Sequence, residues 1–160
     1  MSTRITATVD PELGLVEART VSGERVVMDA DPPHGSGSAA GPVETLLAAL
    51  AGCTAMDVRS ILRKKRQTIA SYEIEVSSQR ATEHPKVFTS IRVEHRVRGD
   101  VEAEALRRSV ELSATRYCPI SAMLAASAPV EHRYRLELQD GAIHEAVVAV
   151  IGPGQRSEPA

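Results

Sequence analysis

The sequence has few cysteines, few aromatic residues and no excess of either charge. Its two cysteines in 160 residues are too few for a disulfide framework and lack the ligand count of a structural zinc site. There is no tryptophan, with three tyrosines and one phenylalanine, so a core must be built from aliphatic side chains. A formal net charge of −2 gives no general attraction to nucleic acid or to an anionic membrane. We therefore expect neither as a partner, and we look for function in a local site.

Long apolar runs are also missing. No uninterrupted stretch approaches the length of a membrane span, and no apolar signal segment follows the first residues. Both observations favour the cytoplasm, where a cysteine pair is either inert or chemically active. The length fits one domain, expected over residues 1–151, and the polar ending at 152–160 is expected to be a flexible tail.

Apolar periodicity predicts short strands, then one long helix. Two or three short strands are expected in residues 1–30, followed by a loop rich in Gly, Pro and Ser at 31–40 that is either ordered or a flexible flap. The helix begins at Pro42 and closes on the basic run 63–66, whose cations suit a helix C-terminus. Its apolar residues recur every three or four positions: Leu46, Leu47, Leu50, Val58, Ile61 and Leu62.

A second group of elements follows the helix. Alternating patterns predict strands around 72–76 and 91–97, and helical patterns follow at 101–114 and 119–126. Late strands are expected at 134–138 and 147–151. This order predicts an α+β fold in which the sheets need cover from the long helix. The helix has a wider apolar arc than one small sheet covers, so we expect part of it in a homodimer interface.

The two cysteines occupy different predicted positions. Cys53 lies at the edge of the apolar stripe of the long helix, where a free cysteine is often just a small hydrophobic residue. Cys118 precedes Pro119, which fits the first position of a helix and places Cys118 at its N-cap. A helix N-terminus, helped by Arg116, can lower a thiol pKa. Ser, Thr, Asp and Asn are better N-cap residues than cysteine, so a cysteine at this position indicates a chemical role for its thiol.

Three further charged or titratable residues need an explanation. Asp57 projects into the apolar stripe one turn from Cys53, so its carboxylate needs a partner, and Arg116 is the candidate. The pair would be either structural or a support for a thiolate held by the same arginine. His95 lies on the apolar face of its strand and is interpreted as a core or interface histidine. Glu44 precedes Cys53 by nine residues, which is about 180° around a helix and about 13 Å along it. Glu44 should therefore point away from the thiol.

At these residues the sequence resembles the OsmC/Ohr family, which comprises osmotically inducible protein C and organic hydroperoxide resistance proteins. The resemblance is carried by the run from Gly41 to Cys53, GPVETLLAALAGC, and by Cys118-Pro119-Ile120-Ser121. It extends from about Ile5 to Leu138. It implies an OsmC-like α+β fold, with antiparallel sheets packed on a long central helix, and an intertwined homodimer with active sites near the subunit interface.

The resemblance also implies roles for the site residues. Cys53 would be the peroxidatic thiol and Cys118 the resolving one, whereas the helix-dipole argument alone ranks Cys118 as the more acidic. Characterised members use a glutamate near the helix start and an arginine from an early strand or loop. Glu44 is the candidate glutamate here, and Arg19 and Arg25 are the candidate arginines.

The function expected from this resemblance is reduction of organic hydroperoxides, alkyl or lipid, by a cysteine-based peroxidase. A Cys53 sulfenic acid would condense with Cys118, and an external dithiol of the lipoyl type would restore both thiols. Neither a metal nor a bound cofactor is expected. Leu and Ala side chains together with Met123 would favour an apolar hydroperoxide over hydrogen peroxide.

Two other functions fit the same residues. A non-catalytic dimeric module could bind a small apolar or thiol ligand at the subunit interface. A cysteine acyl-transfer enzyme would need a histidine base, for which only a residue distant in sequence such as His34 is available.

Overall fold

The structure, a computed structural model, describes residues 3–153. The chain has a mixed α+β architecture, as the sequence predicts, and divides into two compact units, residues 1–48 and 49–160. The elements in chain order are β1 (Thr6–Val9), β2 (Val16–Arg19), β3 (Arg25–Met28), α1 (Pro42–Lys64), β4 (Thr68–Arg80), β5 (Phe88–Asp100), α2 (Ala103–Leu112), a π-helical turn (Ser113–Tyr117), α3 (Pro119–Ala125), β6 (Val130–Glu137) and β7 (Ile143–Ile151). Most of the predicted tail, from residue 154, lies outside the described residues.

The N-terminal unit contains an antiparallel sheet in the order β1-β2-β3. Its strands are largely exposed, and Ala18 is their one buried residue. On this sheet Arg19 and Arg25 both form ion pairs with Glu17, the first at 2.6 Å. The two candidate arginines therefore already share one carboxylate partner within this unit.

The loop after β3 is organised by the buried carboxylate of Asp29. Asp29 accepts hydrogen bonds from the backbone and hydroxyl groups of Ser36 and Ser38 and from the backbone of Ala30. These donors, Ser36 first, hold the pKa of Asp29 well below its usual value. A Cβ at Gly35 would lie 2.3 Å from both Ala30 O and Asp29 Oδ1, so only glycine fits there. Of the two interpretations of this segment, the ordered loop is the one observed.

The helix α1 begins with a side-chain cap from Glu44. The carbonyl of Gly41 accepts the backbone N–H of Thr45 at 2.9 Å, and the carboxylate of Glu44 accepts the N–H of Gly41 at 2.8 Å. Pro42 fills the first helical position, where a missing N–H costs nothing. Glu44 is thus engaged as a helix cap.

The helix α1 is long and apolar, and only part of it is buried. By length and composition alone, its 23 residues are enough to cross a membrane, a test that core helices also pass. One stripe of α1 is buried: Leu50, Thr54, Val58 and Leu62. Leu46, one turn before Leu50, is 41% exposed, and Met56, on another face, is 75% exposed. The described chain leaves these apolar side chains uncovered, and the predicted homodimer interface stays a prediction.

The second unit contains a sheet in the order β4-β5-β6-β7. The pairs β4–β5 and β6–β7 are antiparallel, whereas β5 and β6 run parallel. A parallel pair needs a long crossover, and the segment containing α2, the π-helical turn and α3 provides it. The expectation of wholly antiparallel sheets therefore requires one correction, at β5–β6.

A largely aliphatic core lies between α1, α2 and this sheet. Its members are Val58, Leu62, Val97, Val101, Ala105, Leu106, Val110, Tyr134 and Leu136. Tyr134 is the one aromatic residue of that cluster, in agreement with the aromatic-poor composition. Because α1 and α2 both contribute to this core, the segment after α2 is held against α1, and that is where the two cysteines meet.

Candidate functional site

The two thiols are in contact. The Sγ atoms of Cys53 and Cys118 are 2.8 Å apart, with the Cys118 thiol donating to Cys53 Sγ. Cys53 lies in the middle of α1, and Cys118 is the N-cap residue of α3. A disulfide needs about 2.05 Å between the sulfurs, so small side-chain movements are enough to form one.

The N-cap position of Cys118 is confirmed. Its backbone is extended, with φ −76° and ψ 105°, Pro119 follows as the first helical residue, and its sulfur accepts the backbone N–H of Ser121 at 3.3 Å. The low pKa expected from the helix dipole is wrong, however. Burial, and then the hydrogen bond with Cys53, raise the pKa of Cys118 to about 12, and the Ser121 N–H only partly offsets them. Desolvation of the thiolate outweighs the dipole of a seven-residue helix.

The cysteine pair is therefore asymmetric. Cys118 is 2% exposed and acts as the hydrogen-bond donor, whereas Cys53 is half-buried and acts as the acceptor. A donated S–H favours negative charge on the accepting sulfur. Of the two residues, Cys53 thus retains partial exposure to solvent and Cys118 almost none.

Asp57 is the third member of this site. One turn after Cys53 on α1, it is half-buried, and its carboxylate accepts the hydroxyl of Ser113 at 3.0 Å. One ligand atom each from Cys53, Asp57 and Cys118 lies within 4.8 Å of the others. We call these three residues the thiol cluster.

The predicted ion pair between Asp57 and Arg116 is not observed. Arg116 is exposed, and its guanidinium lies over the ring of Tyr117, 5.8 Å from the centroid. Within residues 3–153, Asp57 has no ion-pair partner, and a neutral hydroxyl meets its carboxylate instead. The π-helical turn is the reason, because it presents Ser113 towards α1 and leaves Arg116 in solvent.

This turn also connects Asp57 with Cys118. Its first residue, Ser113, donates its hydroxyl to Asp57 and accepts the backbone N–H of Cys118 at 3.0 Å. Single π-helical turns are frequent at functional sites. The sequence contained no pattern that predicts the role of Ser113. A π-helical turn at the end of a helix has no characteristic residue composition that distinguishes it from the helix itself.

A second cluster of buried polar side chains lies beside the thiol cluster. The hydroxyl of Tyr72 is 2.6 Å from Nδ1 of His95, and the hydroxyl of Ser121 is 2.8 Å from Nε2 of His132. The two imidazoles stack with centroids 6.1 Å apart. Burial lowers the pKa of His95 to about 3 and that of His132 to about 4, so both stay neutral. We call Tyr72, His95 and His132 the histidine layer, and His95 is the hydrogen-bonded core residue that its pattern indicates.

The remaining predicted residues have the following contacts and exposure. Glu44 caps α1, and Arg19 and Arg25 pair with Glu17. Met123 on α3 is 66% exposed.

Comparison with known proteins identifies the family. The sequence model of the OsmC family, described as OsmC-like protein, matches residues 35–133, a range that contains the whole thiol cluster. The chain belongs to this family. This OsmC-like protein is 36% identical over 118 residues to protein YhfA of Escherichia coli K12, which covers 73% of this chain and 86% of YhfA.

Solved structures share the fold. A hypothetical protein from Aquifex aeolicus VF5 is 25% identical with a TM-score of 0.77, covering 87% of this chain and 98% of its own. An organic hydroperoxide resistance protein OsmC from Legionella pneumophila is 16% identical with a TM-score of 0.58, covering 82% and 95%. At that identity the Legionella protein shows the fold alone.

Proposed function

We propose that this OsmC-like protein is a thiol peroxidase that reduces organic hydroperoxides, alkyl or lipid, through Cys53 and Cys118. The observation that carries the proposal is the 2.8 Å contact between one half-exposed and one buried sulfur. Family membership supports it, because several proteins of this fold are named organic hydroperoxide resistance proteins.

The proposed cycle needs two electrons. The Cys53 thiolate attacks the terminal oxygen of ROOH, the O–O bond breaks, and the departing alkoxide takes a proton to leave as ROH. Cys53 is then a sulfenic acid. The Cys118 sulfur loses its proton, attacks the Cys53 sulfur and displaces hydroxide, which leaves as water and completes the disulfide. An external dithiol of the lipoyl type reduces the disulfide and is itself oxidised.

Burial assigns the order of the two thiols in this proposal. Cys53 is the peroxidatic thiol because it is reachable and receives a hydrogen bond. Cys118 is the resolving thiol because its raised pKa keeps it protonated while it donates to Cys53. Resolution needs no opening of the fold, since the sulfurs are already in contact.

Attack also needs a positive group to favour the thiolate. By family resemblance Arg19 and Arg25 are the candidates for that role, Arg116 is the candidate nearest in sequence to Cys118, and Glu44 would support an arginine. Replacement of each arginine by alanine should identify the activating one as the variant with the largest loss of kcat/KM and the smallest change in stability. Equal activity in all three variants would exclude the role for each.

We also propose that the protein acts as a cytoplasmic homodimer. The exposed apolar side chains of Leu46 and Met56 on α1 support a second copy as the cover of this helix. Sedimentation analysis should give twice the chain mass of 17.2 kDa, and Met56→Glu should shift the equilibrium towards monomer. A wild-type monomer at micromolar concentration would exclude the dimer.

The test of the peroxidase uses the two cysteines as each other's controls. With cumene or fatty-acid hydroperoxide and a dithiol donor, wild type should turn over, and Cys53→Ser and Cys118→Ser should not. After one equivalent of hydroperoxide, Cys118→Ser should react with a sulfenic-acid probe at Cys53, whereas Cys53→Ser should not react. The opposite labelling pattern would reverse the two roles. Faster consumption of hydrogen peroxide than of the organic substrate would exclude the apolar specificity.

A non-catalytic binding module is the second candidate. The observation that favours it is the carboxylate of Asp57 beside both sulfurs, which opposes thiolate formation. Wild type without turnover, but with binding of an apolar thiol ligand, would support this function.

A further inference from the structure

The peroxidase cycle leaves Asp57 without a role. Its carboxylate lies within 4.8 Å of two sulfurs that the proposed chemistry needs as thiolates. A like charge at that distance disfavours the thiolate. Within residues 3–153 the hydrogen-bond partner of Asp57 is the neutral hydroxyl of Ser113. Three groups that carry negative charge when ionised thus face one another, and residues 49–153 form no ion pair with Asp57.

We propose that the reduced thiol cluster is a binding site for a thiophilic divalent cation, with Zn²⁺ as the representative ion. The proposal does not depend on peroxidase activity. Two cysteine sulfurs and a carboxylate are the ligand types that Zn²⁺ takes in proteins, and three protein ligands with an open fourth position for water form a known coordination set.

The geometry requires one small movement. With Zn–S bonds of about 2.3 Å at tetrahedral angles, the two sulfurs would stand about 3.8 Å apart, compared with 2.8 Å as observed. Cys53 is half-buried, so its side chain can rotate by that amount while Cys118 stays in place. Asp57 is also half-buried and sits one helical turn from Cys53, which leaves an approach from solvent.

Neighbouring groups already orient two of the three ligands. The hydroxyl of Ser113 holds the Oδ2 oxygen of Asp57 at 3.0 Å, and no hydrogen bond to the Oδ1 oxygen is found within residues 3–153. The backbone N–H of Ser121 holds the sulfur of Cys118 at 3.3 Å. Such outer contacts fix the direction of a metal ligand and commonly change metal affinity by about 10- to 100-fold.

Binding replaces protons with the metal. The two thiols lose one proton each, the carboxylate contributes its existing charge, and Zn²⁺ takes the place of the S–H bond between the sulfurs. No electron moves. Because the disulfide removes both thiolate ligands, metal binding and disulfide formation exclude each other, and the metal-bound form should oxidise slowly.

The test adds Co²⁺ to the fully reduced protein without oxygen and then displaces it with Zn²⁺. We expect one Co²⁺ per chain, with a sulfur-to-cobalt charge-transfer band and the intense visible bands of tetrahedral cobalt. Asp57→Asn should weaken Zn²⁺ binding at least tenfold, and Asp57→His should restore it. Asp100→Asn, the same change at an exposed strand end, should leave the affinity unchanged.

The oxidised wild-type protein serves as a control with the same sequence. This comparison therefore does not depend on whether a variant folds. It should bind no metal, and dithiol reduction should restore binding. Equal affinity in wild type and Asp57→Asn would reduce the site to a bare dithiol and overturn the proposal. Binding of Co²⁺ to the oxidised protein would overturn it as well. Neither result depends on a peroxide, so the peroxidase proposal stands or fails separately.

Discussion

The thiol cluster and the histidine layer lie in the same unit and share Ser121 as a neighbour, yet they differ in access. Ser121 donates its backbone N–H to Cys118 and pairs its hydroxyl with His132. The thiol cluster has two half-buried members, Cys53 and Asp57. Both imidazoles of the histidine layer have no exposed surface. Chemistry with an external reactant is therefore possible only in the first group, and the second can act only through stability.

The same physical cause acts on both groups. Burial raises the pKa of Cys118 and lowers those of His95 and His132, in each case favouring the neutral form. Burial, followed by the charge of Asp57, also raises the pKa of Tyr72. The buried interior thus favours the neutral forms of all four of these side chains. Cys53 is half-buried and lies at the edge of that interior.

The largest expected effect is a loss of activity on replacement of Cys53, with little change in stability. Cys53→Ser should lower hydroperoxide turnover by at least about 1,000-fold, because the nucleophile is gone. The free energy of unfolding should change by less than about 1 kcal/mol, since the residue is half-buried and the replacement is small. Steady-state kinetics and urea unfolding measure the two quantities. A large loss of stability with activity retained would assign Cys53 to the core instead.

The second expected effect is a loss of stability in mild acid from the histidine layer. Free histidine titrates near pH 6.5, and the folded pKa values are about 3 and about 4. Below pH 6.5 the unfolded chain therefore binds more protons, and stability falls as pH falls towards 4. The slope is at most about 1.4 kcal/mol per pH unit for each histidine. Urea midpoints measured from pH 7.5 to 4.5 should show the decline.

Two variants sharpen that measurement. His132→Leu removes one titrating group and should reduce the slope below pH 6.5 by about half. His144→Asn, at an exposed position on β7, is the control for replacing a histidine outside the buried pair. A stability curve that stays flat between pH 6.5 and 5 would contradict the neutral buried pair.

The third effect tests whether the histidine layer supports the fold but not the chemistry. His132→Ala should lower the free energy of unfolding by about 2–4 kcal/mol, because it leaves a cavity and an unpaired Ser121 hydroxyl. The yield of Cys53 sulfenic acid in the folded fraction should stay within about threefold of wild type. A loss of sulfenic acid without loss of stability would give His132 a direct role at the thiols.

The smallest effect concerns Ser113. Ser113→Ala removes the hydrogen bond to Asp57 and should cost about 1 kcal/mol of stability. Ser127→Ala, which removes an exposed hydroxyl bonded to a backbone carbonyl, should cost less. Thermal unfolding of both variants gives the comparison. Equal costs would mean that the Asp57 contact contributes no more to stability than an exposed hydroxyl bonded to a backbone carbonyl.

Local patterns predicted much of the fold. The alternation at Tyr72, Ile74 and Val76 is found in β4, and the three- and four-residue spacing from Leu46 to Leu62 is found in α1. The N-cap at Cys118 followed from Pro119 alone. These features depend on neighbours within one or two turns, which is why a single sequence reveals them.

Other features escaped prediction because they depend on residues far apart in the chain. Asp57 was recognised as a buried carboxylate in need of a partner, but Ser113, 56 residues later, was found only through the π-helical turn. The stacking of His95 on His132 depends on β5 and β6 being parallel neighbours. Strand order is set by the crossover, which no local pattern encodes.

The sequence by itself determined the elements, the cap at Cys118 and the anomalous charge at Asp57, since each follows from spacing along one segment. Only the tertiary structure decided which group faces Asp57 and which of the two sulfurs stays protonated. Desolvation and contact are properties of the packed interior. For Cys118, packing outweighed the local helix dipole that the sequence made visible.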